Sequence, residues 1–238
     1  MLKLNTFSIA ARDEKTGQFG VAVSTKVPAV GLLCPFVKAG VGAIATQSFV
    51  NPYIGINGLK YLEEGLSAQE VMDRILQEDP DPSIRQFSIV DKEGKAVAFT
   101  GEKCDGWYGH ITGNNFAVAG NMLVSEATVQ EMAKSFESTG DLPLAERLLK
   151  VMEAGQAAGG DKRGRQSASL KVYSTEEYPL VDLRVDEHPD PVKELGRIYE
   201  VAKRELFPFM EMLPTLANPA GKFDFESSRE MGLLQDNE

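Results

Sequence analysis

Cysteine is scarce in this chain. Cys34 and Cys104 are the only two in 238 residues, too few for a disulfide framework. They read as reduced thiols in a reducing compartment. Histidine is equally rare, with His110 and His188 alone. Neither cysteine has a second cysteine or a histidine at metal-ligand spacing, so no metal and no cofactor is expected. There is no P-loop, and "GVGAIA" lacks the spacing of a dinucleotide-binding loop. No apolar run approaches the roughly 18 residues that span a bilayer. The opening "MLKLNTFSIAARDE" lacks the basic stretch and long apolar core of a signal peptide. A soluble cytoplasmic protein without a membrane partner is expected. Positive charge is also in short supply, with 25 Lys and Arg against 35 Asp and Glu, a net charge of -10. That balance argues against nucleic acid as a partner, because phosphate binding needs a basic face. From residue 176 onward fifteen acids face seven bases. Most of the excess therefore lies in the last quarter, as a solvated acidic face.

What is present alternates in blocks. Leu4 to Arg12 and "FGVAVST" read as two strands joined by the polar turn "DEKTGQ", where Gly17 can take a positive φ. "AGVGAIATQSFV" is a third strand, apolar almost throughout and so covered on both faces. Leu59, Leu62, Leu66, Val71, Ile75 and Leu76 then follow helical spacing in two segments. Ser67 and Glu70 form a capping box at the second. "RQFSIVDKEGKAVAFTG" is a hairpin about Lys92 to Gly94, and "NNFAVAGNM" another strand. Residues 125–136 and 143–154 are helical, and "SASLKVY" with "LVDLRV" closes the set. Strands and helices come in runs rather than in strand–helix–strand alternation. The expected fold is α+β, a four-layer α-β-β-α sandwich over residues 1–186. Residues 187–238 form a C-terminal helical extension and tail. There Asp190 and Pro191 open a helix whose apolar stripe runs from Val192 through Leu195, Tyr199, Ala202, Leu206 and Phe209 to Leu213. Pro208 must end or kink it. The stripe packs either on the sandwich or on a second copy, and a homodimer is expected.

Three polar clusters stand out from the apolar strands. "AAGGDKRGRQSASL", Ala157 to Leu170, places Lys162, Arg163 and Arg165 beside the start of a strand, with Gln166 and Ser167 following. Asp161 can hold either arginine in one orientation, and a fixed guanidinium matches a carboxylate. Salt-bridged surface loop and binding site are equally good readings of that stretch. "ATQSFVNP" puts Thr46, Gln47, Ser48 and Asn51 at a strand end, as a satisfied structural network or as donors for a carbonyl. "WYGHITGNNFAVAGNM" gathers Trp107, Tyr108 and His110 in a glycine-rich hairpin, with Asn121 closing the next strand. A Cys104–His110 nucleophile pair lacks supporting signatures.

"TFSIAARDEKTGQFGVAVSTKV", "GVGAIATQSFVNPYIGINGL", "AVAGNML" and "AAGGDKRGRQSA" occur in one order. Together they resemble the bacterial family called domain of unknown function 1028, over roughly Thr6 to Val185. That family is grouped with the N-terminal-nucleophile (Ntn) hydrolases. The resemblance implies an Ntn-type sandwich in which Thr6, at the head of the first strand, is the nucleophile and its own α-amine the base. Lys26 would lower the threonine's pKa. Arg163 and Arg165 would hold a substrate carboxylate, oriented by Asp161, while Gln47, His110, Asn121 and Gln166 line the pocket or support the oxyanion. Many relatives begin Met-Thr-Phe-Ser. Here Leu2, Lys3, Leu4 and Asn5 stand before Thr6, and Leu2 is too bulky for routine removal of Met1. The intact chain therefore holds the Thr6 nitrogen in a peptide bond.

Two functional readings remain open. One is an amide hydrolase acting on a small anionic amide or peptide. The other is a non-catalytic protein that binds a small carboxylate or anion.

Overall fold

The computed structural model describes residues 6–222 together with 224, 226 and 229. The residues preceding Thr6, including the start of the first strand as read above, lie outside the described residues, as does most of the tail. Ten strands form two sheets, and every pairing is antiparallel. The first sheet contains β1 (Thr6–Arg12), β2 (Phe19–Thr25), β7 (Trp107–Gly113), β8 (Phe116–Leu123), β9 (Ser167–Tyr173) and β10 (Val181–Val185). Its order is β10-β9-β2-β1-β8-β7. The second runs β3 (Pro35–Lys38), β4 (Gly42–Ser48), β5 (Arg85–Asp91), β6 (Ala96–Thr100) in that order.

Alternation along each strand decides the layers. On β1, Phe7 and Ile9 point to the outer helices, and Phe7 lies against Gly155 and Gly160. Ser8 and Ala10 point to the facing sheet, where Ser8 meets Gln47 and Ala10 packs among Ala43, Ala45 and Val90. Ile44, Phe87 and Ile89 turn outward onto Ile54, Leu62, Val71 and Ile75. Those residues belong to α1 (Pro52–Glu63) and α2 (Ala68–Glu78). The other sheet is covered by α3 (Ala127–Ser138) and α4 (Leu144–Ala157), with Phe116 against Phe136 at 4.9 Å between ring centres. The result is an α-β-β-α sandwich whose central strands, β1, β2, β4 and β5, are buried on both faces. Phe7, Phe19, Phe87 and Phe116 are fully buried, each contributing about 1.5–3 kcal/mol of burial.

Local signals act as expected from the sequence. Ser67 accepts from the Glu70 amide and Glu70 answers at the Ser67 amide, the complete capping box. Gly17 and Gly94 take φ of 70° and 80° in their turns. The third strand read over residues 39–50 is β4, and a short strand not read from the sequence precedes it. Lys38 pairs with Gly42 across a tight turn through Gly40, and Pro35–Lys38 forms a separate edge strand. Phe36 on that strand seats against Gly55 of α1, where a Cβ would come within 2.2 Å of the ring.

The chain divides into two compact units, up to Leu195 and from Gly196. The helix α5 (Pro191–Glu205) crosses that boundary, and α6 (Phe207–Met210) follows after a break at Leu206, next to Pro208. Within the second unit Tyr199 meets Phe207 edge-on, and the Lys222 amide returns to Met212 O. Leu206 and Phe209 are exposed. Among the described residues no helix is long and apolar enough to cross a membrane.

Candidate functional site

Thr6 heads β1 and lies opposite Thr25 at the end of β2. Both are buried, and the Thr6 hydroxyl donates to Thr25 Oγ1 at 3.3 Å. On the other flank, the register Phe7↔Gly120 and Ser8↔Ala119 carries Asn121 of β8 alongside Thr6 on the same face. Across the gap between sheets stands Gln47, near the end of β4. Its Nε2 lies 3.5 Å from Thr6 O, and its Oε1 accepts from the Ser8 hydroxyl at 2.6 Å. The sheets thus close one end of the sandwich with neutral polar side chains rather than with apolar ones.

Gln86 ties this layer together. Its Oε1 accepts from Gln47 Nε2 at 2.7 Å and from Asn121 Nδ2 at 2.9 Å. Its Nε2 reaches Gly120 O, Gly109 O and Thr100 Oγ1 at 2.8, 3.2 and 3.0 Å. The Thr100 hydroxyl also shares a hydrogen bond with His110 Nδ1, 2.8 Å away, whose direction is set by the histidine tautomer. Desolvation holds the His110 pKa below the usual histidine value.

Both sheets leave this end through unusual backbone. Ser48, last in β4, and Met122, next to Asn121 in β8, take φ of 67° and 50°. For non-glycine residues this left-handed conformation costs about 1–2 kcal/mol each. A neighbouring buried ion pair fixes the first of these ends. Arg85 Nε donates to Asp79 at 2.9 Å, and Arg85 Nη1 donates to Phe49 O at 2.7 Å. Asn51 caps α1 and also donates to Asp79. Burial opposes ionisation of Asp79, but the hydrogen bonds from Asn51, Arg85 and the Asp81 amide outweigh it and lower its pKa.

The connection after Gly160 meets the same end of the first sheet. Gly159 and Gly160 close α4 with positive φ, and Asp161 then bridges to Leu123. The buried Asp161 carboxylate accepts from the Lys26 amide at 3.0 Å and from the Arg163 amide at 2.8 Å. It also holds the Arg163 guanidinium through Nη2 at 3.1 Å. The Gln166 amide returns to Thr25 O. Arg165 turns away, pairing with Asp190 at 2.9 Å with both side chains solvated. The Lys26 ammonium donates to Arg165 O at 3.1 Å, so it is directed along this connection.

A family model, described as a family of unknown function, DUF1028, matches residues 6–195. The chain belongs to this family. The match opens at Thr6, the residue around which the polar end is built. Protein SPO2555 from Silicibacter pomeroyi, a DUF1028 crystal structure, is 28% identical with a TM-score of 0.85. That likeness covers 92% of this chain and 100% of the other. Anbu (ancestral beta-subunit) from Yersinia bercovieri gives a TM-score of 0.39 at 12% identity, over 88% of this chain and 99% of that one. So slight a likeness carries no argument. No curated protein matches.

Within the DUF1028 sandwich the residues singled out from sequence fall into layers. Gln47 meets Thr6 directly, and Asn121 lies beside Thr6 in register and is joined to Gln47 through Gln86. Asp161 and Arg163 sit beside the end of β2. His110 stands further out, behind Gln86 and Thr100. Lys26, Arg165 and Gln166 belong to the outer connection. Cys104 Sγ faces Ser48 Oγ at 3.5 Å, while His110 Nδ1 meets the Thr100 hydroxyl. Cys34 is buried, and desolvation pushes its thiol up to about 12. Such a thiol is inert at neutral pH. Gln86 was missed by sequence reading, although a glutamine and Ser88 at alternate positions of an apolar strand were a signal.

Donor counting separates structural amides from available ones. Both N–H groups of Gln47 have acceptors, in Gln86 and Thr6 O. Asn121 uses one N–H on Gln86 and retains a second. Asn121 is therefore the one of the two with an N–H left for a further acceptor.

Proposed function

We propose that this protein is an Ntn-type amide hydrolase, with Thr6 as nucleophile once the chain begins there. The observation that carries this reading is the position of the Thr6 hydroxyl. It lies at the head of a central strand, buried, in a nest of neutral donors that has no other evident use. In the intact chain the Thr6 nitrogen is an amide and cannot take a proton. As a terminal amine it would lie next to its own hydroxyl, with a pKa near 8. The hydroxyl oxygen then adds to the substrate carbonyl while its proton passes to the amine. The C–N bond breaks as that proton moves to the leaving nitrogen, and water later cleaves the threonyl ester. Asn121 Nδ2 supports the oxyanion, with Gln86 holding its amide in orientation. Asp161 and Arg163 brace the end of β2 against this strand.

The test is hydrolysis of neutral dipeptides and acyl amides by protein made to begin at Thr6, with the intact chain alongside. Turnover by the first, reduced at least about 10³-fold by Thr6→Ala, is the expected result. No turnover, or turnover indifferent to Thr6→Ala, rejects the reading. One observation favours a second reading, a non-catalytic binder of small anions. The same polar end exists in a chain whose Thr6 nitrogen is acylated. Retention of residues 1–5 in natively produced protein, together with ligand binding but no turnover, would select that alternative.

A further inference from the structure

We infer that the substrate of this site carries a carboxylate and that Lys162 is the residue that selects it; this rests on the amide-hydrolase reading above. The connection after Gly160 offers three cations, and the structure places two of them against acids. Arg163 is held by Asp161, and Arg165 by Asp190 on the solvated side. An exposed pair such as Arg165–Asp190 contributes little and points away from the strand ends. Lys162 makes no ion pair with any described residue.

Its position is set by backbone on both sides. The Lys162 amide donates to Met122 O at 3.1 Å, and the Met122 amide donates to Asp105 O at 2.8 Å. The side chain then crosses Gly106. A Cβ on that glycine would come within 2.9 Å of the Lys162 ammonium and within 2.9 Å of Met122 Cα. Gly106, at φ 65°, thus leaves room for the lysine to reach the end of β8. Met122 follows Asn121, and Asn121 flanks Thr6. The ammonium therefore lies beside Gly106, as does Met122, the residue that follows Asn121, and Asn121 continues the register that pairs β8 with β1 beside Thr6. A carboxylate one residue from an amide held at Thr6 would extend toward this end of β8.

The charges around it leave a surplus of one sign. Lys26, Lys162 and Arg163 stand on the strand end and connection that meet here, against Asp161 and Asp105. Asp161 is committed to Arg163 and to the Lys26 amide, and Asp105 turns onto the Gly106 amide at 2.6 Å. Even in a chain of net charge -10, a local positive surplus attracts small anions.

The test uses the full chain and a matched pair of probes, N-acetylglycine and the uncharged N-acetylglycinamide, titrated by NMR at low and high salt. N-acetylglycine should bind at least about tenfold more tightly at low salt, with the preference shrinking as salt rises. Lys162→Met should erase the preference, and Arg165→Ala should leave it. Asp105→Asn should enlarge it. Equal binding of the two probes, no binding of either, or a preference that survives Lys162→Met overturns the inference. Turnover of neutral amides by protein beginning at Thr6 would still stand in that case. Conversely, charge selection by Lys162 without any turnover would reject the hydrolase reading alone.

Discussion

At its Thr6 end, β1 lies among neutral amides and hydroxyls: Thr25, Gln47, Gln86 and Asn121. At its Arg12 end the polar groups are charged and closed on one another. Asp13 accepts from the Lys15 amide and from the Thr16 amide and hydroxyl, and its other oxygen takes Arg147 Nη1 at 3.2 Å. Arg147 lies 3.9 Å over the Phe136 ring and donates to Phe136 O, leaving one buried N–H, its Nε, without a partner. A cleft of about 350 Å³ beside them is lined by these residues and by Arg12 and Asn115. The same strand therefore ends in two kinds of polarity. The charged end is a brace, since breaking it strands a charge in the interior. The neutral end holds the Thr6 hydroxyl on Thr25 Oγ1 and the Asn121 amide on Gln86 Oε1, with no charged group among them. Neutral groups can be held there without the desolvation cost of ions.

The contrast can be broken first at the brace. Arg147→Ala should destabilise the protein by about 3–5 kcal/mol in urea melts, because Asp13 is left buried and unpaired. Turnover per folded molecule should be unchanged. Burial opposes the Asp13 charge, yet the Thr16 and Lys15 bonds and Arg147 lower its pKa from 3.8. A lowered folded pKa contributes stability above pH 3.8 that is lost as pH falls through the folded value. Asp13→Asn should therefore flatten the acid limb of the stability curve. A mutant curve that retains the full acid slope would remove Asp13 from this role.

A smaller loss is expected at the neutral end. Gln86→Leu leaves the Gln47 and Asn121 amides and Gly120 O short of partners. At roughly 1–3 kcal/mol for each group left unsatisfied, about 3 kcal/mol of stability should go. Unlike Arg147→Ala, it should also lower kcat in whatever protein remains folded. Equal turnover after Gln86→Leu would make the network architecture only. The smallest effect, of opposite sign, belongs to Ser48→Gly. Glycine relieves the left-handed backbone and should raise stability by about 1 kcal/mol in thermal melts. A loss of stability instead would mean that the Ser48 hydroxyl, next to Cys104, outweighs the strain.

Much of the frame was legible in short windows. Ser67 and Glu70 announced a helix start because a cap is made by residues three apart. Gly17 and Gly94 announced turns because positive φ is a property of one residue. The pairing of Asp161 with Arg163 was likewise within reach, two residues apart. The edge strand Pro35–Lys38 went unread because four residues are too few to show a period. Gln86 went unnoticed because its five partners lie on β4, β6, β7 and β8. Arg165 and Arg163 looked equivalent until Asp190, twenty-five residues on, took one of them.

The amino-acid sequence by itself determined the order of strands and helices, the turn and cap chemistry, and the family to which the chain belongs. Each of these is carried by local pattern or by residues in fixed order. Only the tertiary structure decided which polar residues share the Thr6 end, which amide N–H remains available, and which cation lacks an acid. Those outcomes depend on strand register and on stacking of the two sheets. Groups far apart along the chain are brought within 3 Å by packing, and no spacing rule within a single strand or loop encodes that distance.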